Sequence, residues 1–245
     1  MTQYVHPLSA AIREIARIFG EMGFAVADGP ELEDAWHNFD ALNIPKDHPA
    51  RDMQDTFWLP LREGESQARV MRTHTSPVQV RWMETHEPPI RIVVPGKAYR
   101  NEATDMTHEA QFYQVEGLVV DETTSLAHLK GTLARFFGEF FGGAVEVRLR
   151  PSFFAFTEPS VEVDMRLSGE DAPAKLKGKW IEVMGAGMVH PKVLNAAGID
   201  PATYQGFAFG GGIERLAMLK WGIDDVRLFH AGDLRLPTQF PAYEG

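Results

Sequence analysis

The 245-residue chain contains no cysteine, which excludes disulfides, thiolate metal ligands and a cysteine nucleophile and fits a cytoplasmic protein. No apolar run approaches the ~20 residues that a bilayer-spanning helix needs. The first residues, MTQYVHPLSAAIREIARIF, lack the basic stretch and unbroken apolar segment of a secretory signal, so neither membrane insertion nor export is expected. Positive charge is scarce: 24 Lys and Arg face 34 Asp and Glu, a formal net charge of −10. A chain this acidic has no overall attraction for a phosphate backbone, so any grip on nucleic acid needs a local patch, another domain or another subunit. Gly206–Gly212 is not followed by the GK[ST] of a P-loop and does not have the GxGxxG spacing of a dinucleotide site. What is present is an ordinary globular composition, 44% hydrophobic and 24% charged, in a chain long enough for one domain with a proper core.

Periodicity sets out the elements. Leu8, Ala11, Ile12, Ile15, Ile18, Phe19 and Met22 recur at helical spacing, Gly23 closes that helix, and Phe24–Val26 begins a strand. Residues 31–57 are rich in His and Asp (His37, Asp40, His48, Asp52, Asp55) without an HExxH pattern. They read as a polar loop with local caps, in which Trp36, Phe39 and Leu42 anchor a short helix. Residues 59–69 read as an exposed loop. Ser76 before Pro77 predicts an N-cap and a helix through Met83. A helix from Ser125 to Phe141, capped by Thr124 or Ser125 and stopped by Gly142-Gly143, carries a phenylalanine stripe that is core. Strands are predicted at Val145–Arg150 and Trp180–Met184, with SGEDAPAKLKGK before the latter as a short polar hairpin or loop. A last helix runs from Ile213 to Trp221. The expected fold is α+β, a mainly antiparallel sheet flanked by helices, in a single domain over residues 1–245.

The densest chemistry lies in IRIVVPGKAYRNEATDMTHEAQFYQVEGLVVD, residues 90–121. An apolar β-branched run, a long polar loop (103–110) and an alternating strand (111–121) predict a hairpin. Long loops tend to carry binding groups. On period-two spacing Arg100 shares a parity with Glu102, and Gln114 with Glu116. Taken alone, those polar groups are a site or a solvated face.

The same stretch resembles motif 2 of class II aminoacyl-tRNA synthetases, in particular the phenylalanyl α-subunit family. HPL at 6–8, WHNFDALNIPKDHPARDMQDTFW at 36–58, RTHTSPVQVRWM at 72–83, RPSFFAFTEPSVEV at 150–163, GAGMVHP at 185–191 and GFAFGGGIERLAMLKWGIDDVRLF at 206–229 resemble the family's other blocks, in its order. Motif 1 then spans about 6–30, motif 2 about 90–121 and motif 3 about 206–222.

This resemblance implies ATP-dependent activation of phenylalanine, with transfer to tRNA(Phe) in a full assembly. It implies Arg100 and Arg215 as the catalytic guanidinium groups on the triphosphate. Glu102, His108, Phe112 and Gly212 join them around ATP. His74, Ser76, Gln79, Gln114, Glu116, Phe154, Phe156, Gly185, Gly187 and Ala208 surround the amino acid, and Glu158 helps hold Mg2+. For Arg215 an ion pair with Asp224 or Asp225 is the structural alternative, and for Gly185 and Gly187 a pair of bulge glycines. Gly211 stands where relatives commonly carry a bulkier residue, which would loosen the strand end or enlarge a pocket. The family's cysteine-rich insertion is replaced by SGEDAPAKLKGK, so zinc is not expected. The motif 1 face implies a partner, a β subunit or a second copy, and the chain begins almost at motif 1, without the family's helical tRNA-contacting extension. Two alternatives stand beside this reading: a synthetase-like paralogue that binds or activates an amino acid without charging tRNA, and a non-catalytic regulatory binding module.

Overall fold

The computed structural model describes residues 4–51, 55–61, 68–168 and 176–240. Helix α1 (Pro7–Glu21) starts at His6, whose Nδ1 accepts the Leu8 amide, and ends before Gly23, whose φ of +82° lets the chain reverse. Strand β1 (Ala25–Val26) then pairs in parallel with β5 (Ile90–Tyr99). The expected hairpin forms between β5 and β6 (Gln111–Asp121), with Ile90 opposite Val120 and Tyr99 opposite Gln111. On its other side β6 pairs antiparallel with β10 (Gln205–Gly212), from Gln205 opposite Asp121 to Gly212 opposite Gln114. Antiparallel β9 (Trp180–Val189), β8 (Thr157–Leu167) and β7 (Val145–Phe154) complete a seven-stranded sheet of order β1-β5-β6-β10-β9-β8-β7. A small sheet of β2 (Leu32–Asp34), β3 (Trp58–Leu59) and β4 (Arg69–Met71) lies apart from it in pairing.

Both faces of the central strands are buried, and alternation divides their side chains between two cores. Val93, Val115 and Val119 face the core built with α1, α3 (Leu126–Phe141) and α5 (Ile213–Trp221). Ile90, Ile92, Val94, Leu118 and Val120 face the other, covered by α2 (Ser76–Thr85), α4 (Pro191–Ala196) and Phe39–Ile44. Strands covered on both sides have no polar face to show, which is why this hairpin reads as near-continuous hydrophobic sequence at its far end. The phenylalanine stripe of α3 is core: Phe136, Phe137 and Phe140 are at most 1% exposed. Ser125 caps that helix by accepting the His128 amide, and Gly142, at φ +68°, ends it.

Several sequence expectations are revised. Ser76 is not an N-cap: Thr75 holds that position without a side-chain bond, and the Ser76 hydroxyl donates to Glu116 instead. A buried carboxylate competes better for that hydroxyl than a helix end whose first donor is already removed by Pro77. The short helix at 36–42 is one π-type turn, Trp36–Asp40. Among the described residues there are five α-helices, of which α4 has no counterpart in the sequence expectations, and neither do β8 and the small sheet. Asp52, residues 62–67 of the anticipated 59–69 loop and residues 169–175 of the SGEDAPAKLKGK segment lie outside the described residues.

Candidate active site

Two adjoining cavities open on the side of the sheet away from α1 and α3. The first, about 550 Å³, is polar at one end and aromatic and aliphatic at the other. Its polar end is organised by Glu116 of β6, a buried carboxylate that accepts from the Thr75 amide (3.1 Å), the Ser76 hydroxyl (2.6 Å) and Gln79 Nε2 (2.8 Å). Burial pushes its pKa up to about 7, against the pull of those donors and of the Arg100 charge. His74 beside it is half-buried, with both ring nitrogens buried and without a partner. Burial, followed by the Arg100 charge, lowers its pKa to about 3, so the ring is neutral. Gln114 Oε1 is likewise buried and unpartnered. Three orphaned polar atoms around one cavity mark a place where a polar ligand completes the bonding.

The apolar end is formed by Phe154 and Phe156, stacked with centroids 5.7 Å apart and planes at 9°, and by Leu118, Val189, Val193 and Ala208. Phe39, Leu42, Ile44 and Met83 close its back wall. Gly185 makes room for that stack, since a Cβ there would lie 2.9 Å from the Phe154 ring. Gly210 does the same for Glu116, whose Cγ would sit 2.7 Å from its Cβ. The glycine run of 206–212 is thus not a phosphate loop but a strand whose missing side chains leave the cavity floor clear.

The second cavity, about 460 Å³, shares Arg100, Gln114, Glu162, Gly185 and Gly210 with the first. Arg215, from the first turn of α5, lines it together with Thr107, His108, Phe112, Gly211 and Gly212. Arg100 is aimed by its Nε bond to the Thr73 carbonyl (3.2 Å) and by packing of its guanidinium over Phe112, 5.0 Å from the ring centroid. The shared parity expected for Arg100 and Glu102 does not apply, because β5 ends at Tyr99. Both residues nevertheless line the first cavity from the turn in which the Glu102 amide donates to the Arg100 carbonyl. His108 sits on the exposed loop and bonds Asp105 (3.0 Å), which raises its pKa. Asp225, one of the two alternative partners for Arg215, pairs with Arg227 at 2.6 Å.

Two candidates fall outside. Glu158, the expected magnesium ligand, lines neither cavity; its carboxylate is 74% exposed and 3.2 Å from His190 Nε2. The register shift between Thr157 and Ser160 turns it out of line with the rest of β8. Gly187 also lines neither cavity, because the space its side chain would take is filled by the Pro159 carbonyl, 2.5 Å from a Cβ there. Nor does Gly211 enlarge the first cavity: it faces the second one, with Met184 packed into the vacated space.

Sequence reasoning missed Glu162 and Glu182, the acidic residues facing the second cavity besides Glu214. Alternation could have found Glu162, since Val161, Val163 and Met165 of β8 face the core and leave Glu162 on the opposite side. Glu162 accepts from Ser152 (2.9 Å), and Glu182 pairs with Arg150 (2.6 Å). Hard carboxylate oxygens beside arginines and a polar cavity are a donor set that fits a magnesium ion shared with phosphates. A separate group, Glu33, Asp34 and His37, has ligand atoms within 4.8 Å of one another, but Arg81 already pairs with Glu33 at 2.6 Å.

Residues 1–240 match the family described as "tRNA synthetases class II core domain (F)". The chain is 55% identical over 241 residues to a phenylalanine–tRNA ligase α subunit of Dehalococcoides mccartyi, covering 96% of this chain and 69% of that protein. It is 54% identical to the Bacillus subtilis (strain 168) protein of the same name, over 96% and 68%. Among solved structures, a pyrrolysyl-tRNA synthetase from Desulfitobacterium hafniense superposes with a TM-score of 0.70 at 19% identity, covering 97% of this chain and 77% of that one, a likeness of fold. The seven-stranded, mainly antiparallel sheet, the two arginines converging from a hairpin and a C-terminal helix, and identity above 50% across nearly the whole chain lead to one conclusion: the chain belongs to the class II aminoacyl-tRNA synthetases, in the family of phenylalanine–tRNA ligase α subunits.

Proposed function

We propose that the chain activates phenylalanine with ATP and, with a β subunit, passes the phenylalanyl group to tRNA(Phe). The observation that supports this most directly is that Arg100 and Arg215 line the second cavity, which adjoins the first one with its stacked phenylalanines. In this reading the phenyl ring lies against Phe154 and Phe156, where offset and edge contacts favour an aromatic side chain. The ammonium faces Glu116 and Gln114, with Ser76, Gln79 and neutral His74 supporting them. A neutral His74 adds no repulsion toward the ammonium.

The carboxylate of phenylalanine is already ionised at neutral pH. One of its oxygens attacks the α-phosphorus, a new P–O bond forms, the bond to the β-phosphate oxygen breaks and pyrophosphate leaves. No general base is required; the site positions the reactants and offsets charge on the phosphate oxygens. Arg100 grips the α-phosphate with its planar fork, which lysine does not reproduce. Arg215 holds the γ-phosphate. Glu102 bonds the adenine amino group, Phe112 backs Arg100, Gly212 lets the strand end approach the nucleotide, and His108 closes over the phosphates. Glu162 and Glu182 would hold a magnesium ion, which would supply positive charge to offset that of the phosphates. The α1–β1 face, where Ala25 and Val26 are exposed at the edge of the sheet, is the docking face for a partner chain.

Arg100→Ala is expected to lower phenylalanine-dependent ATP–pyrophosphate exchange by about 10²–10³-fold with the fold intact. Normal exchange in a folded Arg100→Ala protein would sink the assignment.

A further inference from the structure

Strand β10 stops at Gly212, opposite Gln114, where the chain turns into α5. One residue along β6, the Tyr113 amide is left without a strand partner on that side. It donates instead to both carboxylate oxygens of Glu214, at 2.8 and 3.0 Å. Glu214 is 4% exposed, so this bond is not shared freely with water. His230 Nε2 lies 3.4 Å from the same carboxylate, which raises the histidine's pKa against the effect of its own burial. The neighbouring Phe229 carbonyl lies 3.1 Å from His6 Nε2, while His6 Nδ1 accepts the Leu8 amide. The N-terminal HPL segment thereby holds the 226–230 segment that carries His230.

Glu214 immediately precedes Arg215, and Tyr113 lies between Phe112, on which Arg100 packs, and Gln114. The carboxylate therefore ties α5, which presents Arg215, to β6, whose Phe112 backs Arg100, at the point where the sheet's own hydrogen bonding ends. We propose that Glu214 is a positioning residue that fixes the separation of Arg215 from Arg100, by continuing the ladder of β6 with a side-chain acceptor. This rests on the triphosphate occupying the second cavity, and it goes beyond that reading by naming what sets the cavity's width. His230 steadies the carboxylate at Oε1, which also accepts the Tyr113 amide.

The test is calorimetric titration of the whole chain with MgATP and, separately, with phenylalanine, for wild type, Glu214→Gln and Glu214→Ala. Glu214→Gln keeps a carbonyl oxygen for the Tyr113 amide and is expected to bind MgATP within about threefold of wild type. Glu214→Ala is expected to bind it about 10- to 100-fold more weakly. Phenylalanine affinity is expected to stay within about twofold in both variants, because the first cavity does not include Glu214. Unchanged MgATP affinity in Glu214→Ala, or an equal loss for phenylalanine and MgATP, overturns the proposal. So does a loss beyond about tenfold in Glu214→Gln, a result that stands even where Glu214→Ala fails to fold. A wild-type chain that binds no MgATP removes the triphosphate from the second cavity and the positioning role with it, whereas normal wild-type binding with unaffected variants removes the positioning role alone.

Discussion

Glu116 concentrates the electrostatics of the first cavity. The groups facing it are Thr75, Ser76, Gln79 and the Arg100 charge, and burial outweighs them, so its carboxyl titrates near 7 in the folded chain against 4.5 in the free side chain. The folded state therefore holds a proton that the unfolded chain gives up earlier. The stability that this provides is complete below about 4.5 and is lost as pH rises through about 7. Glu116→Gln is expected to remove that limb from the pH dependence of unfolding, a change of order 3 kcal/mol between the two ends. An ammonium ligand acts in the opposite direction by favouring the carboxylate. Phenylalanine binding is thus expected to release a proton at pH 6 and to tighten by up to about tenfold per pH unit as pH rises toward 7, measured by calorimetry in buffers of different ionisation enthalpy. Flat affinity between pH 6 and 8 would contradict it.

Strand β9 separates shape from stability within three residues. Gly185 faces the cavities, and its missing Cβ leaves room for the Phe154 ring, a side chain that can tilt. Gly187 faces the backbone of β8, where a Cβ would lie 2.5 Å from the Pro159 carbonyl, which has nowhere to go. Gly185→Ala is therefore expected to raise KM for phenylalanine by about tenfold with little change in Tm. Gly187→Ala is expected to cost about 1–3 kcal/mol of stability with KM little changed in the folded fraction. Steady-state exchange kinetics and thermal unfolding of the two variants separate these outcomes; the reverse pattern would mean that the roles of the two glycines are exchanged.

At the scale of the whole molecule, charge dominates. With 24 Lys and Arg against 34 Asp and Glu, the chain carries the wrong sign for a polyanion, and its arginines are largely committed: Arg148 and Arg150 to Asp164, Arg166 to Glu146, Arg81 to Glu33. The chain alone is expected to bind tRNA(Phe) more weakly than about 10⁻⁵ M at 0.15 M salt, a level typical of non-specific electrostatic contact at best. Fluorescence anisotropy with labelled tRNA measures it; nanomolar binding by the chain alone would show that no partner is needed for capture. No helix among the described residues is long and apolar enough to cross a membrane.

Much of the fold could be read from the sequence because it is written in local periods. Helices α1, α3 and α5 carry their own stripes and their own glycine stops, and the β5–β6 hairpin carries its alternation. Strand β8 was hidden because aromatic and charged residues at its start obscure a period-two pattern broken by the Thr157/Ser160 register shift. Local pattern also draws attention to Arg100, whereas Arg215 and the roles of both arginines come from the resemblance of their stretches to motifs 2 and 3. Which of those residues meet depends on non-local pairing: β6 against β10 sets Glu116 over Gly210, and β8 against β9 sets Glu162 opposite Gly185. That same pairing turns Glu158 and Gly187 away and commits Ser76 to a carboxylate 40 residues distant rather than to its own helix. A side chain's type and local face are properties of its neighbours along the chain, whereas its partners are properties of contacts across the chain, which only the packed sheet brings into being.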